Sequence, residues 1–546
     1  MGDVSDGLSL QTTIGGAMVA KRTHDGEAKG ENASCLHVEG ASALRKQFDA
    51  AKPFPHGVLH PLCVDPGQLL RRVRQELLEN VSYREKETDL FQLHQTGDLA
   101  NLDGFAEELP ALCELREALY SRSFRQAVEE ATGCGKLSDQ IDLSSNIYAH
   151  GSHLLCHDDV IGNRRVSFII YLTDPDSEWK EEDGGTLELF DVNNSGECED
   201  IPCKTILPLW NSMAMFVVRP GRSYHEVREV FAKDKPRLSV SGWYHSDVPL
   251  PEDNGVASLT QLQTKNEGCL NSKAYHPIEY EEDLNKDDLM VLKRYLNTPY
   301  LSPSTWHAVA QQFQEQGSIQ LQSFLSEERV AGVISICSKA DDDDGLAARK
   351  RPEWDAGTGD GWQTRGPPVK QRYQEYVGAE SASSARANAG KALKEVVSEL
   401  LQTPSFAKLL SIATGKKLKG QLNQVRRFRP GLDYTVAHFN AITSTPVLDL
   451  TLCFVNDADE ERSSNWESGV VGGYHCYIPA DPENNAATAE VYRPDDDDDE
   501  LLSISAVSNS MNLVLRQEGL MDFVKYVSTR AGGSRWDIAM EYQMED

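Results

Sequence analysis

Positive charge is scarce in this sequence: 54 Lys and Arg stand against 85 Asp and Glu, a formal net charge of −31. That deficit opposes simple binding to a nucleic-acid backbone, where cationic side chains supply the affinity. The eleven cysteines are an odd number and none forms a Cys-x-x-Cys pair, so neither a disulfide framework nor a zinc knuckle is expected, and a reducing compartment fits. No apolar run approaches the roughly eighteen residues of a spanning helix. Asp3 and Asp6 stand where a secretory signal would carry positive charge. A soluble, intracellular chain without a membrane partner is the expectation.

What is present is concentrated between Tyr148 and Tyr244. The segment holds His157-Asp158-Asp159, the strand-like Phe168-Ile169-Ile170-Tyr171-Leu172, the turn Gly184-Gly185, then His225 and Arg237. Two imidazoles and one carboxylate leave half of an octahedron open, the ligand set of a non-haem Fe(II) oxygenase. In an extended segment residues i and i+2 share a face, so His157 and Asp159 reach one metal while Asp158 points away. His157, Asp159 and His225 are the candidate triad. Arg237, twelve positions after His225, suits the far carboxylate of 2-oxoglutarate through a bidentate pair. A His-x-Asp with a distant His arises easily by chance. Order and context add weight: each ligand adjoins an apolar run, Leu154-Leu155 or Met213 to Val218, and Arg237 opens Leu238 to Trp243.

With 40% hydrophobic residues and eight Trp, the 546 residues suit two or three globular domains. Residues 1–47 read as a disordered tail and folding is expected near Phe54. Asp65-Pro66 signals a helix start, followed by an apolar stripe of Leu69, Leu70, Val73, Leu77 and Val81. Helices are predicted over Ala111–Tyr120 and Ser123–Thr132, ending before Gly133. From Ile141 short strands and turns suit a sandwich or double-stranded barrel. The class is α+β, mainly β with flanking helices, with a first domain over 48–250.

Residues 300–546 repeat this plan. Ser123-Phe124 to Gly133 is echoed by Ser405-Phe406 to Gly415, Gly184-Gly185 by Gly472-Gly473, and Ser212-Met213 by Ser510-Met511. Self-similarity of so long a period means duplicated domains. In the second copy His438-Phe439-Asn440 faces His157-Asp158-Asp159, Phe523 faces His225, and Arg535 faces Arg237. The copy loses a carboxylate and an imidazole and should not hold iron. Residues 251–299 read as a connecting segment. Asp341 to about Ser384 and Pro479–Glu500 read as insertions, and the runs Asp341–Asp344 and Asp495–Glu500 as solvated loops.

Together, Tyr148, Leu154 to Asp159, Arg165, Ile170-Tyr171-Leu172, Gly184 to Leu187 and Arg237 to Trp243 resemble the eukaryotic ribosomal prolyl 3-hydroxylases, closely over about 50–250 and more loosely over 300–546. The resemblance implies two tandem double-stranded β-helix (jelly-roll, cupin-like) domains, only the first catalytic. It implies Fe(II), with 2-oxoglutarate and O2 as co-substrates and ascorbate as reductant. The implied substrate is a basic small-subunit ribosomal protein at the decoding centre, with effects on translation termination accuracy, in nucleus and cytoplasm. Carried over by position, His157, Asp159 and His225 bind iron, Arg237 and Tyr171 bind the 2-oxoglutarate carboxylate, and Tyr148 lines the same pocket. Tyr171 read without the resemblance is equally a core aromatic.

Rival readings are a nucleic-acid demethylase of the same superfamily, a collagen-type prolyl hydroxylase, and a noncatalytic regulator working through the second domain with termination, messenger-decay or degradation factors. The demethylases place a second Arg six positions after the first, where this chain has Trp243. The absent secretory signal disfavours the collagen type. Sequence-specific nucleic-acid binding is not expected.

Overall fold

Alternation along the strands decides which side chains meet helices and which meet the site. In the strand Arg164–Tyr171, Val166, Phe168 and Ile170 belong to a core shared with helices, whereas Ile169 and Tyr171 belong to a separate interior cluster with Phe216, Leu187 and Leu189. Period two thus gives one strand two dry faces. The computed structural model describes residues 36–37, 40, 43–63, 68–102, 104–248, 275–281, 283–379, 381–437, 445–479 and 502–545, all within one structural unit.

The first domain is built on β1 (His56–Leu59), β2 (Arg84–Glu87), β3 (Phe91–Gln95), β4 (Ile141–Tyr148), β5 (His153–His157), β6 (Arg164–Tyr171), β7 (Leu187–Leu189), β8 (Lys204–Ile206), β9 (Ser212–Val217), β10 (His225–Val227) and β11 (Arg237–His245). They form one antiparallel sheet in the order β1-β9-β6-β11-β4-β3-β5-β10-β7-β8, with β2 on β3. The sheet curls into a double-stranded β-helix. Helices Gln68–Asn80, Pro110–Tyr120 and Arg122–Thr132 cover its outer face with Leu69, Leu70, Val73, Leu77, Leu112, Leu115, Phe124 and Val128. The last helix ends at Gly133 in the left-handed conformation, φ 64°.

The second domain uses β12 (His276–Pro277), β13 (Ser318–Leu321), β14 (Trp362–Arg365), β15 (Gln371–Tyr376), β16 (Leu418–Phe428), β17 (Tyr434–Thr435), β18 (Val447–Phe454), β19 (His475–Pro479), β20 (Leu502–Ile504), β21 (Ser510–Arg516), β22 (Leu520–Val524) and β23 (Arg535–Met544). Its order β13-β21-β18-β23-β16 repeats β1-β9-β6-β11-β4, and the small sheet β20-β19-β22 repeats β8-β7-β10. Matching details extend to single contacts. Thr132 and Thr414 each donate to the carbonyl four residues back. Gly184 and Gly472 share φ 74°, and a Cβ on either would strike a backbone carbonyl, of Glu229 or of Tyr526. The duplication is therefore one of topology as well as sequence.

Four boundaries differ from the sequence expectation. Order begins before Phe54: Leu36 and Phe48 are buried in the first core, and Arg45–Ala50 is a short helix. The second domain begins before residue 300, since β12 pairs with β16 and Leu292, Tyr295 and Leu296 join its core. The stretch from Asp341 to Ser384 is not a loop; it carries β14 and β15 and buries Trp362 and Tyr376. A few large aromatics anchor a segment whose average composition reads as polar. Nor is Asp341–Asp344 a solvated run. It ends the helix Glu327–Asp343, and Asp341 and Asp344, one turn apart, face inward to Arg427 at 2.7 and 2.6 Å. Asp65-Pro66, His438-Phe439-Asn440 and Asp495–Glu500 lie outside the described residues.

Asp341 also accepts from the Ser534 backbone at 2.7 Å. Removing it leaves the buried Arg427 guanidinium with Asp344 alone of its two carboxylates and the buried Ser534 N–H without its acceptor, so Asp341→Ala should cost about 1–3 kcal/mol. Urea denaturation checks this against Asp343→Ala, whose exposed pair with Lys339 should leave the midpoint within error.

Candidate active site

β5 and β10 are antiparallel neighbours with His157 opposite His225, which sets the two imidazoles side by side, ring centroids 4.2 Å apart. Each ring has its Nδ1 2.8 Å from a backbone carbonyl two residues earlier, Leu155 or Ser223. That contact makes Nδ1 the donor of the neutral ring and leaves Nε2 as a bare lone pair. Both Nε2 atoms point at one carboxylate: Asp159 lies 3.3 Å from His157 and 3.4 Å from His225. Among the described residues these three form the one group of His, Cys, Asp or Glu with ligand atoms converging within 4.8 Å.

Asp159 arrives by a route the sequence did not suggest. β5 ends at His157, and Asp159 adopts φ 61°, so a left-handed turn rather than extended i, i+2 geometry aims its side chain. Asp158 is turned away. Its carboxylate accepts from the backbone of Val160 and Gly221, 3.3 and 3.2 Å, and holds the loop before β10. Burial alone would raise the Asp159 carboxyl; proton-bearing, positively charged imidazoles would outweigh it and hold it well below the usual range.

Arg237 opens β11 opposite Tyr148 and is buried, with its guanidinium 4.7 Å from the Tyr148 ring and 5.0 Å from the Tyr171 ring. Its Nη1 reaches the Ser239 hydroxyl at 3.4 Å, while Nε and Nη2 have no hydrogen-bond partner. The Tyr171 hydroxyl likewise makes no hydrogen bond of good geometry. Burial raises both phenols, Tyr148 to about 12. Three buried polar atoms beside the triad thus await acceptors, a fit to a bound carboxylate.

Sequence reasoning missed one contributor on the same strand. Trp243 donates from Nε1 to Asp159 at 3.0 Å, and Arg164 lies 3.6 Å over its indole. Arg237, Ser239, Ser241 and Trp243 alternate on β11 and all line the cleft, so period two counted from Arg237 would have found it. The cleft, about 1460 Å³, is also lined by Tyr474, Cys476, Ser503 and Phe523 of the second domain.

Residues 143–245 match the family described as "2OG-Fe(II) oxygenase superfamily", and residues 287–546 match "Oxoglutarate and iron-dependent oxygenase degradation C-term". The chain is 38% identical to the prolyl 3,4-dihydroxylase OGFOD1 of Ostreococcus tauri, over 90% of this chain and 95% of that protein. It belongs to the OGFOD1 prolyl hydroxylase family. The prolyl 3-hydroxylase OGFOD1 of Xenopus laevis is 28% identical over 88% of this chain and 84% of its own length. The corresponding figures for the Drosophila melanogaster prolyl 3-hydroxylase sudestada1 are 27%, 86% and 79%. The family works with Fe(II), 2-oxoglutarate and O2.

The indole–carboxylate contact should matter as outer-shell support. Trp243→Phe keeps the ring and removes the donor, so Fe(II) affinity should fall about 10- to 100-fold. Anaerobic Fe(II) titration of the metal-free variant measures it.

Proposed function

We propose that this protein is an Fe(II)- and 2-oxoglutarate-dependent prolyl hydroxylase. One observation carries the reading: two imidazole lone pairs face a carboxylate, acceptors against an acceptor, which a cation at their meeting point reconciles. His157, Asp159 and His225 would hold iron through one face, leaving the others for co-substrate and O2. Arg237 would take the far carboxylate of 2-oxoglutarate through its unpaired nitrogens, with the Tyr171 hydroxyl as a further donor and Tyr148 packed on the guanidinium. Iron with its two co-substrates supplies the oxidation, one oxygen atom entering a C–H bond of the substrate and the other ending in succinate. Ile169, Leu187, Leu189 and Phe216 form a dry wall behind the triad that keeps bulk water from it.

The substrate in this reading is a proline of a basic small-subunit ribosomal protein at the decoding centre, modified at C3, with translation termination accuracy as the readout and ascorbate as reductant. The names of the relatives support oxidation of proline at C3, and the net charge of −31 suits a basic partner. The second domain is noncatalytic, and the protein works where ribosomal proteins are made and assembled, in cytoplasm and nucleus.

His225→Ala should abolish 2-oxoglutarate turnover. Arg237→Lys should weaken 2-oxoglutarate binding by about 1.5–3 kcal/mol through loss of bidentate geometry, with Fe(II) affinity retained. Co-substrate titration of the iron-loaded variant reads this, and an unchanged affinity would assign the carboxylate elsewhere. Fragmentation mass spectrometry of a decoding-centre peptide incubated with the enzyme decides the chemistry: one or two oxygens on proline support it, and oxygen on lysine overturns it.

A further inference from the structure

The cleft in front of the triad is larger than the roughly 300–1,000 Å³ of a small-molecule site, and both domains bound it. On the first-domain side is the hairpin β2–β3, contributing Glu85, Lys86 and Glu87. Opposite stand Gly469 and Val470, Tyr474, Ser503 and Ser505. We infer that the substrate polypeptide binds as an extended segment between the domains, and that the second domain supplies one wall of that groove and reads the residues flanking the target proline. This rests on the prolyl hydroxylase reading and deepens it.

Two free edges favour an extended occupant. β2 pairs only with β3, and β20 only with β19, so among the described strands each ends its sheet. Residues of both line the same groove. Edges of this kind accept a peptide by strand addition. A target proline resists helix and biases its predecessor toward extended backbone, which suits that mode. Charge selects the partner: among the residues lining the groove Glu85 and Asp98 are exposed acids beside the single exposed cation Lys86, while Glu87 and Asp142 are already paired with Lys525 and Arg164. Such a rim favours a Lys/Arg-bearing segment.

The wall is fixed relative to the triad. Glu229, two residues beyond β10, is buried and accepts from Tyr526 at 3.2 Å, from Ser528 at 2.5 Å, and from Thr529 through its backbone at 3.0 Å and its hydroxyl at 3.1 Å. Tyr474 donates to Glu87 at 2.8 Å, the Ala437 backbone donates to Asp89 at 3.0 Å, and the Lys525 ammonium donates to the Thr88 carbonyl. The hairpin that forms one side of the groove is thus tied directly to the domain that forms the other. Its width is a property of the two-domain unit.

The iron-loaded two-domain protein tests this with a basic proline peptide. Val470 and Ser503 are exposed, so Val470→Arg and Ser503→Arg place like charge in the groove without disturbing a core. Each should raise the peptide KM about tenfold, the equivalent of 1.4 kcal/mol, with 2-oxoglutarate affinity as in the wild type. Glu85→Lys should do the same, and the penalty should shrink for a peptide whose lysines are replaced by glutamine. Unchanged KM in both second-domain variants overturns the inference. A photo-reactive group two residues from the proline gives an independent arm: cross-links around Gly469–Tyr474 or Ser503–Ser505 support the groove, and cross-links confined to the first domain overturn it. If the wild-type protein hydroxylates no proline peptide, the activity assignment falls, while the cross-linking arm still decides the groove.

Discussion

A buried carboxylate facing two imidazole lone pairs is the constraint on which the first domain depends. Burying an ionised carboxylate is costly unless its charge is compensated. Asp159 is 3% exposed, and of its neighbours only the Trp243 N–H is a fixed donor. Both histidines are oriented with their other nitrogen spent on a backbone carbonyl, so each can satisfy Asp159 only by carrying a proton or by sharing a cation with it. The positive φ at Asp159 is a local backbone cost of the kind that survives where the surroundings over-determine it. Strain, burial and acceptor crowding at one residue are the features that the proposed metal coordination would reconcile.

The second copy shows the same scaffold with that tension removed. Arg535, the counterpart of Arg237, pairs with Asp537 at 2.9 Å and donates to the Gly473 carbonyl. Asp537, at the register position of Ser239, also takes Arg426 at 2.7 Å. Deeper in, His475 meets Asp522 at 3.0 Å, and Arg516 meets Asp449 at 2.8 Å and Glu541 at 2.6 Å. Charges that the first domain leaves open toward a ligand are here closed on one another. Buried pairs of this sort add little net stability, but they satisfy one another and leave Arg535 engaged where Arg237 is open. That is the physical ground for reading the copy as noncatalytic and for giving it the role of a wall.

The elements legible in the sequence were those whose signals are local. Period two, the helical stripe from Leu69 to Leu77 and the glycines at 133 and 415 are short-range patterns with direct structural meaning, and the echo between the halves fixed the repeated topology. The residues gathered at the site were also readable, although the argument that chose Asp159 assumed an extended segment where the chain turns left-handed. What escaped were partnerships across long separations. Nothing near Asp341 announces Arg427, and nothing near Glu229 announces Ser528 and Thr529. Runs of acids look alike in sequence whether they face water or a buried guanidinium.

That ambiguity bears on how a net charge of −31 should be used. Asp341, Asp344, Asp433 and Asp537 are each buried against arginine, so their charge is compensated at contact distance and adds little to the field a partner meets. A basic polypeptide approaching through salt responds to charges within roughly the Debye length, about 8 Å at physiological ionic strength. The acids that count are therefore the ones on exposed faces near where it lands, among them Glu85 and Asp98 at the mouth of the cleft. Long-range attraction of this kind can speed encounter with any basic protein. In the proposed reading, discrimination among basic partners comes from short-range fit along a groove whose two sides belong to different domains, a role for the second copy that requires no iron of its own.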